Sequence, residues 1–191
     1  MSAYRLYFDI ETYNPKSPFF AGKVITIAYK GTEAKTEVLK EWDSDEKSIL
    51  KDFFQHIKKQ LKQQKSVELV GFNILRFDIP FLINRGIQNN VEKAEDLLDL
   101  FHNTYTIDIM HCLLACNNFR FYGLSASSIA QKLGLPCPKF AGKEVLSHYE
   151  NKEYSKIEEH IKEDIIFTEC LDTELRKRMS KMEINRFWSS P

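Results

Sequence analysis

Near its start the chain alternates apolar and polar positions as strands do. Tyr4–Ile10 is rich in aromatic and branched side chains, Lys23–Lys30 repeats the pattern, and Thr36–Trp42 is placed to pair antiparallel with it. Asn14, Pro15, Pro18 and Gly22 mark the turn between the first two. The period then changes. Over Asp45–Gln63, Ile49, Leu50, Phe53, Phe54, Ile57 and Leu61 recur at helical spacing and lysines cover the other face. Val67–Phe72 is a short apolar strand, and a strand that comes after a long helix fits a parallel crossover. Helical signals return at Pro80–Arg85 and Ala94–Leu100. Thr104–Asp108 reads as a strand that leads into a helix around Ile109–Cys116. Ser125–Leu133 is helical and stops at Gly134, ahead of Pro136 and Pro138. The last helix is predicted from near Ser155, with Glu158 as its capping-box partner, to about Met182. There is no internal repeat, low-complexity tract or interdomain linker. Strands first and mixed elements afterwards predict one α/β domain over residues 1–191, with a mixed central sheet flanked by helices.

Composition narrows the function classes. With 43% hydrophobic and 28% charged residues among 191, the chain is an ordinary globular protein with enough length for a substantial core. Its 27 basic and 27 acidic residues cancel, which argues against a protein that coats nucleic acid by bulk positive charge. An enzyme that holds a few nucleotides is still compatible, because bound cations would supply local positive charge. Cys112, Cys116, Cys137 and Cys170 form no C-x-x-C pair and complete no zinc pattern, so buried free thiols are expected. No basic-then-apolar leader or membrane-length apolar run stands out. A reducing, cytoplasmic setting and no membrane contact are therefore expected.

Three groups of residues carry candidate chemistry. Asp9-Ile10-Glu11 lies in the first strand, where alternation sends both acids to one face. Two adjacent carboxylates repel unless a cation or a proton lies between them. The pair is either a shared cation site or the solvated end of a strand. The second group, Gly71-Phe72-Asn73 followed by Phe77-Asp78-Ile79-Pro80-Phe81-Leu82, is a strand ending in a Gly-x-Asn turn, after which Asp78 opens a helix. Pro80 suits a first helical turn. Asp78 is a simple helix cap or part of a site that uses the preceding turn. The third group lies in the last helix. Ile157, Ile161, Ile165, Thr168, Leu171 and Leu175 form one stripe, and Asp164 projects into it, about 20° from Ile157 and Leu175. An acid on an apolar face requires a partner or a metal. His160 precedes it by one turn, so a buried Asp164–His160 or Asp164–Arg pair competes with a ligand role.

Together these motifs resemble the DEDD exonuclease superfamily, and in particular the proofreading exonuclease of family B DNA polymerases and its stand-alone relatives. Phe8-Asp9-Ile10-Glu11 is similar to the first exonuclease motif, Gly71-Phe72-Asn73 with Phe77-Asp78-Ile79-Pro80-Phe81-Leu82 to the second, and His160-x-x-x-Asp164 stands where the third belongs. Thr106–Ile109, Leu124–Leu133 and the Gly142-Lys143-Glu144-Val145 loop also resemble stand-alone relatives. The likeness spans about residues 4 to 178 and leaves no room for a polymerase domain. One departure stands out. The polymerase-like branch has Tyr-x-x-x-Asp in the third motif, and another branch has His with four intervening residues. This chain has the histidine of one at the spacing of the other. Tyr149 and Tyr154 lie too far upstream to substitute.

The resemblance implies a ribonuclease-H-like fold and a 3′–5′ exonuclease acting on the single-stranded 3′ end of DNA or RNA, with nucleoside 5′-monophosphates as products. It implies that Asp9, Glu11, Asp78 and Asp164 ligate two Mg²⁺ or Mn²⁺ ions, with His160 orienting or deprotonating the attacking water. Asn73 would contact the terminal nucleotide or brace the site. Phe72 or Phe77 would stack on a base or pack in the core, and Arg76 would touch a phosphate or remain a solvated surface arginine. Two other readings share the fold: a catalytically inactive module that binds nucleic acid or a protein partner, and an endonuclease.

Overall fold

The computed structural model describes residues 3–13, 22–136 and 142–180. Five strands, β1 (Tyr4–Tyr13), β2 (Lys23–Gly31), β3 (Glu37–Lys40), β4 (Val67–Gly71) and β5 (Tyr105–Asp108), form one sheet in the order β3-β2-β1-β4-β5. The β1–β2 and β2–β3 pairs are antiparallel, and the β1–β4 and β4–β5 pairs are parallel. Helix α1 (Glu46–Gln63) is the crossover that parallel β4 requires. It is followed by α2 (Asp78–Gln88), α3 (Ala94–His102), α4 (Ile109–Leu114), α5 (Ala126–Leu133), α6 (Val145–Glu150) and α7 (Tyr154–Ser180). The α/β class and the mixed sheet expected from the pattern are what the chain adopts.

Each face of the sheet has its own core. Leu6, Phe8 and Ile10 of β1 pack with Phe53 and Phe54 of α1 and Phe81 of α2. Tyr7 packs on the other face with Ile161, Ile165 and Leu171 of α7. Phe8 and Phe53 are fully buried with ring centroids 5.4 Å apart, and burial of each stabilises the fold by roughly 1.5–3 kcal/mol. The period of two then sets the direction of the acids: Asp9 and Glu11 share the parity of Tyr7 and point to the α7 side. A register shift between Glu11 and Thr12 bends the strand just beyond them.

Several expectations need correction. The third strand is shorter than Thr36–Trp42, because Glu41–Asp43 turns into a 3-10 helix. Asp45 caps α1 by accepting from the Ser48 amide at 2.7 Å. By contrast, α7 starts at Tyr154, so Ser155 lies inside its first turn. Glu158 pairs with Lys40 and Lys162 instead of closing a capping box. The stretch 142–145 is a 3-10 turn that runs into α6, an element the pattern does not predict. Cys112 is exposed and Cys116 and Cys170 are half-buried, so these three are free thiols but not core residues. Cys137, Pro138 and most of the turn between β1 and β2 lie outside the described residues.

One buried carboxylate ties α1 and α2 to the sheet. Glu46 accepts from the Val24 amide at 2.8 Å and from Asn89 at 3.0 Å. It also meets Arg85 in a two-pronged pair at 2.7 and 2.6 Å. Glu46→Ala leaves a guanidinium and an amide without their acceptor, and about 3–5 kcal/mol of stability should be lost. Urea titration monitored by circular dichroism measures this; a loss under about 1 kcal/mol would mean that the pair is screened by water.

Candidate active site

Three elements converge on one cavity of about 650 Å³ on the α7 side of the sheet. β1 supplies Asp9 and Glu11, the start of α2 supplies Asp78, and α7 supplies His160 and Asp164. The sequence places the first pair there by strand alternation and the last pair by the spacing of four on a helix. Asp78 arrives by a more particular route. The chain leaves β4 at Gly71, where a Cβ would come within 2.3 Å of Ile74 and 3.0 Å of the Phe8 carbonyl. Asn73 then takes a left-handed φ of 65°, a conformation Asn tolerates better than most residues. The turn delivers Asp78 to the first turn of α2, and Phe77 holds the cap position without a side-chain bond. Asp78 is therefore not the helix cap. Its Oδ1 accepts from the Ile10 amide at 3.2 Å, between the two acids of β1.

Asp108, at the end of β5, fixes that turn. It is 2% exposed and accepts from the Asn73 amide at 3.0 Å, the Leu75 amide at 2.9 Å and the His111 amide at 3.3 Å. Sequence reasoning marks it only as a strand end. An acid between a strand and a helix reads as a cap, and its two bonds to the distant turn leave no local signal.

The electrostatics come from burial of like charges. Burial pushes the Asp9 carboxyl well up, and Asp78, Asp164 and Glu11 push it further. Glu11 rises by burial first and then by the fields of Asp164 and Asp78. Asp78 is pushed up to about 7 by burial, against the pull of the amide bonds it accepts, with Asp108 and Asp164 adding to the rise. Asp164 also reaches about 7, through burial and then Glu163. His160 is 4% exposed and its Nε2 lies 3.3 Å from Glu11 and 3.4 Å from Asp164. Burial lowers its pKa even so. Both neighbouring carboxyls are themselves driven toward their neutral forms, so neither offers a full charge to hold an imidazolium.

The donor set suits a cation. One ligand atom from each of Glu11, His160 and Asp164 lies within 4.8 Å of the others, and Asp9 and Asp78 face the same space. Carboxylate oxygens are the ligands that Mg²⁺ and Mn²⁺ prefer, and a positive ion would relieve the repulsion that raises these pKa values.

The residues expected to meet nucleic acid divide. Phe72, Asn73 and Phe77 line the cavity. Phe72 also packs edge-on against Phe167 at 5.7 Å, and Phe77 stacks on Phe81 at 5.4 Å. The buried Asn73 Oδ1 has no hydrogen-bond partner among the described residues. Arg76 is outside the lining and lies over the Phe121 ring, 4.3 Å from its centroid. Tyr149 donates to Glu41 at 2.6 Å and Tyr154 stacks on Trp42 at 4.6 Å, so both tyrosines upstream of Asp164 are engaged elsewhere in the fold. Ser125 and Ser127, at the start of α5, also line the cavity; the sequence pattern marks them only as part of a helix.

A five-stranded mixed sheet with three antiparallel-linked strands, two parallel additions and acids gathered on one face defines a class of protein, and the sequence places the chain in it: it belongs to the RNase_H superfamily, whose RNase_H_2 family matches residues 6–176. Among solved structures it is similar to the family B DNA polymerase from the hyperthermophilic archaeon Pyrobaculum calidifontis. The TM-score is 0.69 at 15% identity, over 100% of this chain and 28% of that one. It is also similar to E. coli Exonuclease I, solved in complex with a 5cy-dA13 oligonucleotide. There the TM-score is 0.60 at 12% identity, over 95% of this chain and 42% of that one. The chain thus spans well under half of either protein, and at these identities the likeness is one of fold. It bears out the ribonuclease-H-like fold that the motifs imply. No curated protein matches the sequence. No helix among the described residues is long and apolar enough to cross a membrane.

Proposed function

We propose that this protein is a metal-dependent 3′–5′ exonuclease of the DEDD type that releases nucleoside 5′-monophosphates from single-stranded DNA or RNA ends. The observation that carries the reading is the convergence of Asp9, Glu11, Asp78 and Asp164, from three separate elements, on one cavity where burial and neighbouring acids raise the pKa of all four. Four such acids destabilise a fold unless a cation offsets their repulsion. The likeness to a polymerase and to an exonuclease solved with an oligonucleotide supports the same assignment. On this reading the chain acts as one exonuclease-like domain in the cytoplasm.

Asp9, Glu11, Asp78 and Asp164 would hold two Mg²⁺ or Mn²⁺ ions, which would lower the charge barrier to phosphodiester cleavage and stabilise the leaving 3′ oxygen. His160 stands one turn from Asp164 and touches Glu11, which supports a role for its Nε2 in taking the proton of the attacking water. Burial keeps the imidazole neutral at physiological pH, the form that accepts a proton. Asn73 lines the cavity wall, where it would contact the terminal nucleotide or brace the site.

An end-labelled single strand with a free 3′ hydroxyl should be shortened stepwise in Mg²⁺ or Mn²⁺ and untouched in EDTA. A 3′-blocked strand should survive. Denaturing gels read both; prompt cutting of a closed single-stranded circle would assign the same acids to an endonuclease, and cleavage in EDTA would refute the metal requirement.

A further inference from the structure

The loop between α4 and α5 displays aromatic side chains that the fold does not bury. Phe119 is 78% exposed, Phe121 42% and Tyr122 93%. Exposure on this scale leaves most of the burial energy of Phe119 and Tyr122, and a good part of that of Phe121, unused. The loop is nevertheless tightly built. The Asn117 side chain donates to the Arg120 and Tyr122 carbonyls, the Phe119 amide donates to Leu114 at 2.8 Å, and fully buried Leu124 anchors the far end. Asn118 and Phe119 both take left-handed φ values, of 50° and 57°. For a bulky residue that conformation is strained, and Phe119 stands outward in it.

Through Phe121 the cluster is joined to segments that line the cavity. Phe121 meets the His111 ring edge-on at 5.7 Å and carries the Arg76 guanidinium on its face. Met110, beside His111, lines the cavity; so does Phe77, beside Arg76; so does Ser125, four residues after Phe121. Three chain segments thus reach the cavity wall and the aromatic cluster together. The charge distribution favours one kind of occupant. From Ile109 to Lys143 the sequence has no Asp or Glu, although the chain has 27, while Arg120, Lys132, Lys139 and Lys143 fall within that stretch. In a protein of zero net charge, Arg120 within the loop and Arg76 on the Phe121 ring set positive charge beside flat apolar rings.

We propose that Phe119, Phe121 and Tyr122, with Arg76 and Arg120, form a stacking platform for the bases of a nucleic-acid single strand whose 3′ end occupies the cavity. The inference rests on the nuclease reading for the direction of the strand. The rings would hold the nucleotides behind the terminal one, and the arginines would meet their phosphates. Stacking on each ring tolerates any base, so the platform favours length over sequence. A protein partner would also cover exposed rings, but would gain nothing from a segment without acids unless it were itself acidic.

The test uses 5′-fluorescein oligothymidylates of about three and about twelve nucleotides, with Ca²⁺ in place of Mg²⁺ so that binding is read apart from cleavage. Fluorescence anisotropy should show the longer strand bound at least tenfold more tightly by the parent protein. In the Phe121→Ala/Tyr122→Ala variant that length advantage should collapse to a few-fold, with an unaltered melting temperature because neither ring is part of a core. A variant that keeps the full length advantage overturns the platform and leaves these rings to a protein partner. If the parent binds the longer strand through the loop yet shortens no 3′ end in Mg²⁺, the nuclease reading fails and the platform stands. Parent protein that neither binds nor cleaves removes both.

Discussion

Asp78→Asn should lower turnover by about 10³-fold or more while making the protein more stable in EDTA. The kinetic loss reflects the several kcal/mol of charge stabilisation that a metal site supplies, at 1.36 kcal/mol per tenfold. The stability gain reflects the proton balance. The Asp78 carboxyl moves from its ordinary 3.8 to about 7, chiefly through burial. Between those values the folded protein holds a proton that the unfolded chain has released. The favourable contribution is therefore complete below about pH 4 and is lost as pH rises through 7. Taken alone, this shift corresponds to about 4 kcal/mol. Asp164, also near 7, adds to the same slope. In EDTA the melting temperature should fall from about pH 4 until the acids are ionised at about pH 8, and Mg²⁺ or Mn²⁺ should restore it at the upper end by binding the ionised acids. Asparagine keeps an oxygen for the Ile10 amide and removes the charge, so the variant should melt higher than the parent at pH 8 and respond less to metal. Scanning calorimetry with and without Mg²⁺ measures both effects. A pH-independent melting temperature in EDTA, or full turnover in the variant, would show that these acids do not act as a cation site.

His160→Ala should reduce turnover by roughly 10²–10⁴-fold, the range for losing a positioned acid–base group. His160→Tyr should lose less, since the spacing to Asp164 fits a tyrosine. Activity of the parent should rise with pH as the imidazole gives up its proton. Burial sets that limb below the ordinary 6.5, and Glu163 and Glu144 oppose the shift without reversing it. The melting response to metal should survive in His160→Ala, because four carboxylates remain. The limb itself should vanish with the histidine; its persistence, or parental turnover in His160→Ala, would reassign His160 as a structural partner of Glu11 and Asp164.

Much of this site is legible in the sequence because the periods that place its residues are local. Strand alternation sends Asp9 and Glu11 to one face, and an acid in an apolar helical stripe marks Asp164 without any tertiary knowledge. The stripe from Ile157 to Leu175 is buried throughout, as its spacing requires. What escapes is whatever depends on distant partners. Asp108 and Glu46 look like ordinary helix-start acids, yet one braces the Asn73 turn and the other joins α1, α2 and β2. Arg76 lies next to the site in sequence, but its direction is decided by Phe121 on another loop. The contact between His160 and Glu11 joins the first strand to the last helix, and no spacing rule reports it.

The position of α7 has a consequence for how the protein is made. The helix that carries His160 and Asp164 also supplies Ile161, Ile165, Phe167, Leu171 and Leu175, which cover the Tyr7 face of β1. On the ribosome, these residues are translated long after β1, β2 and α1 can pair. Until they emerge, the Tyr7 face lacks the cover of α7 and three acids stand without the fourth. The nascent chain therefore gains its second core and its complete acid set in the same event. Built this way, the candidate site stays incomplete until α7 has joined the sheet.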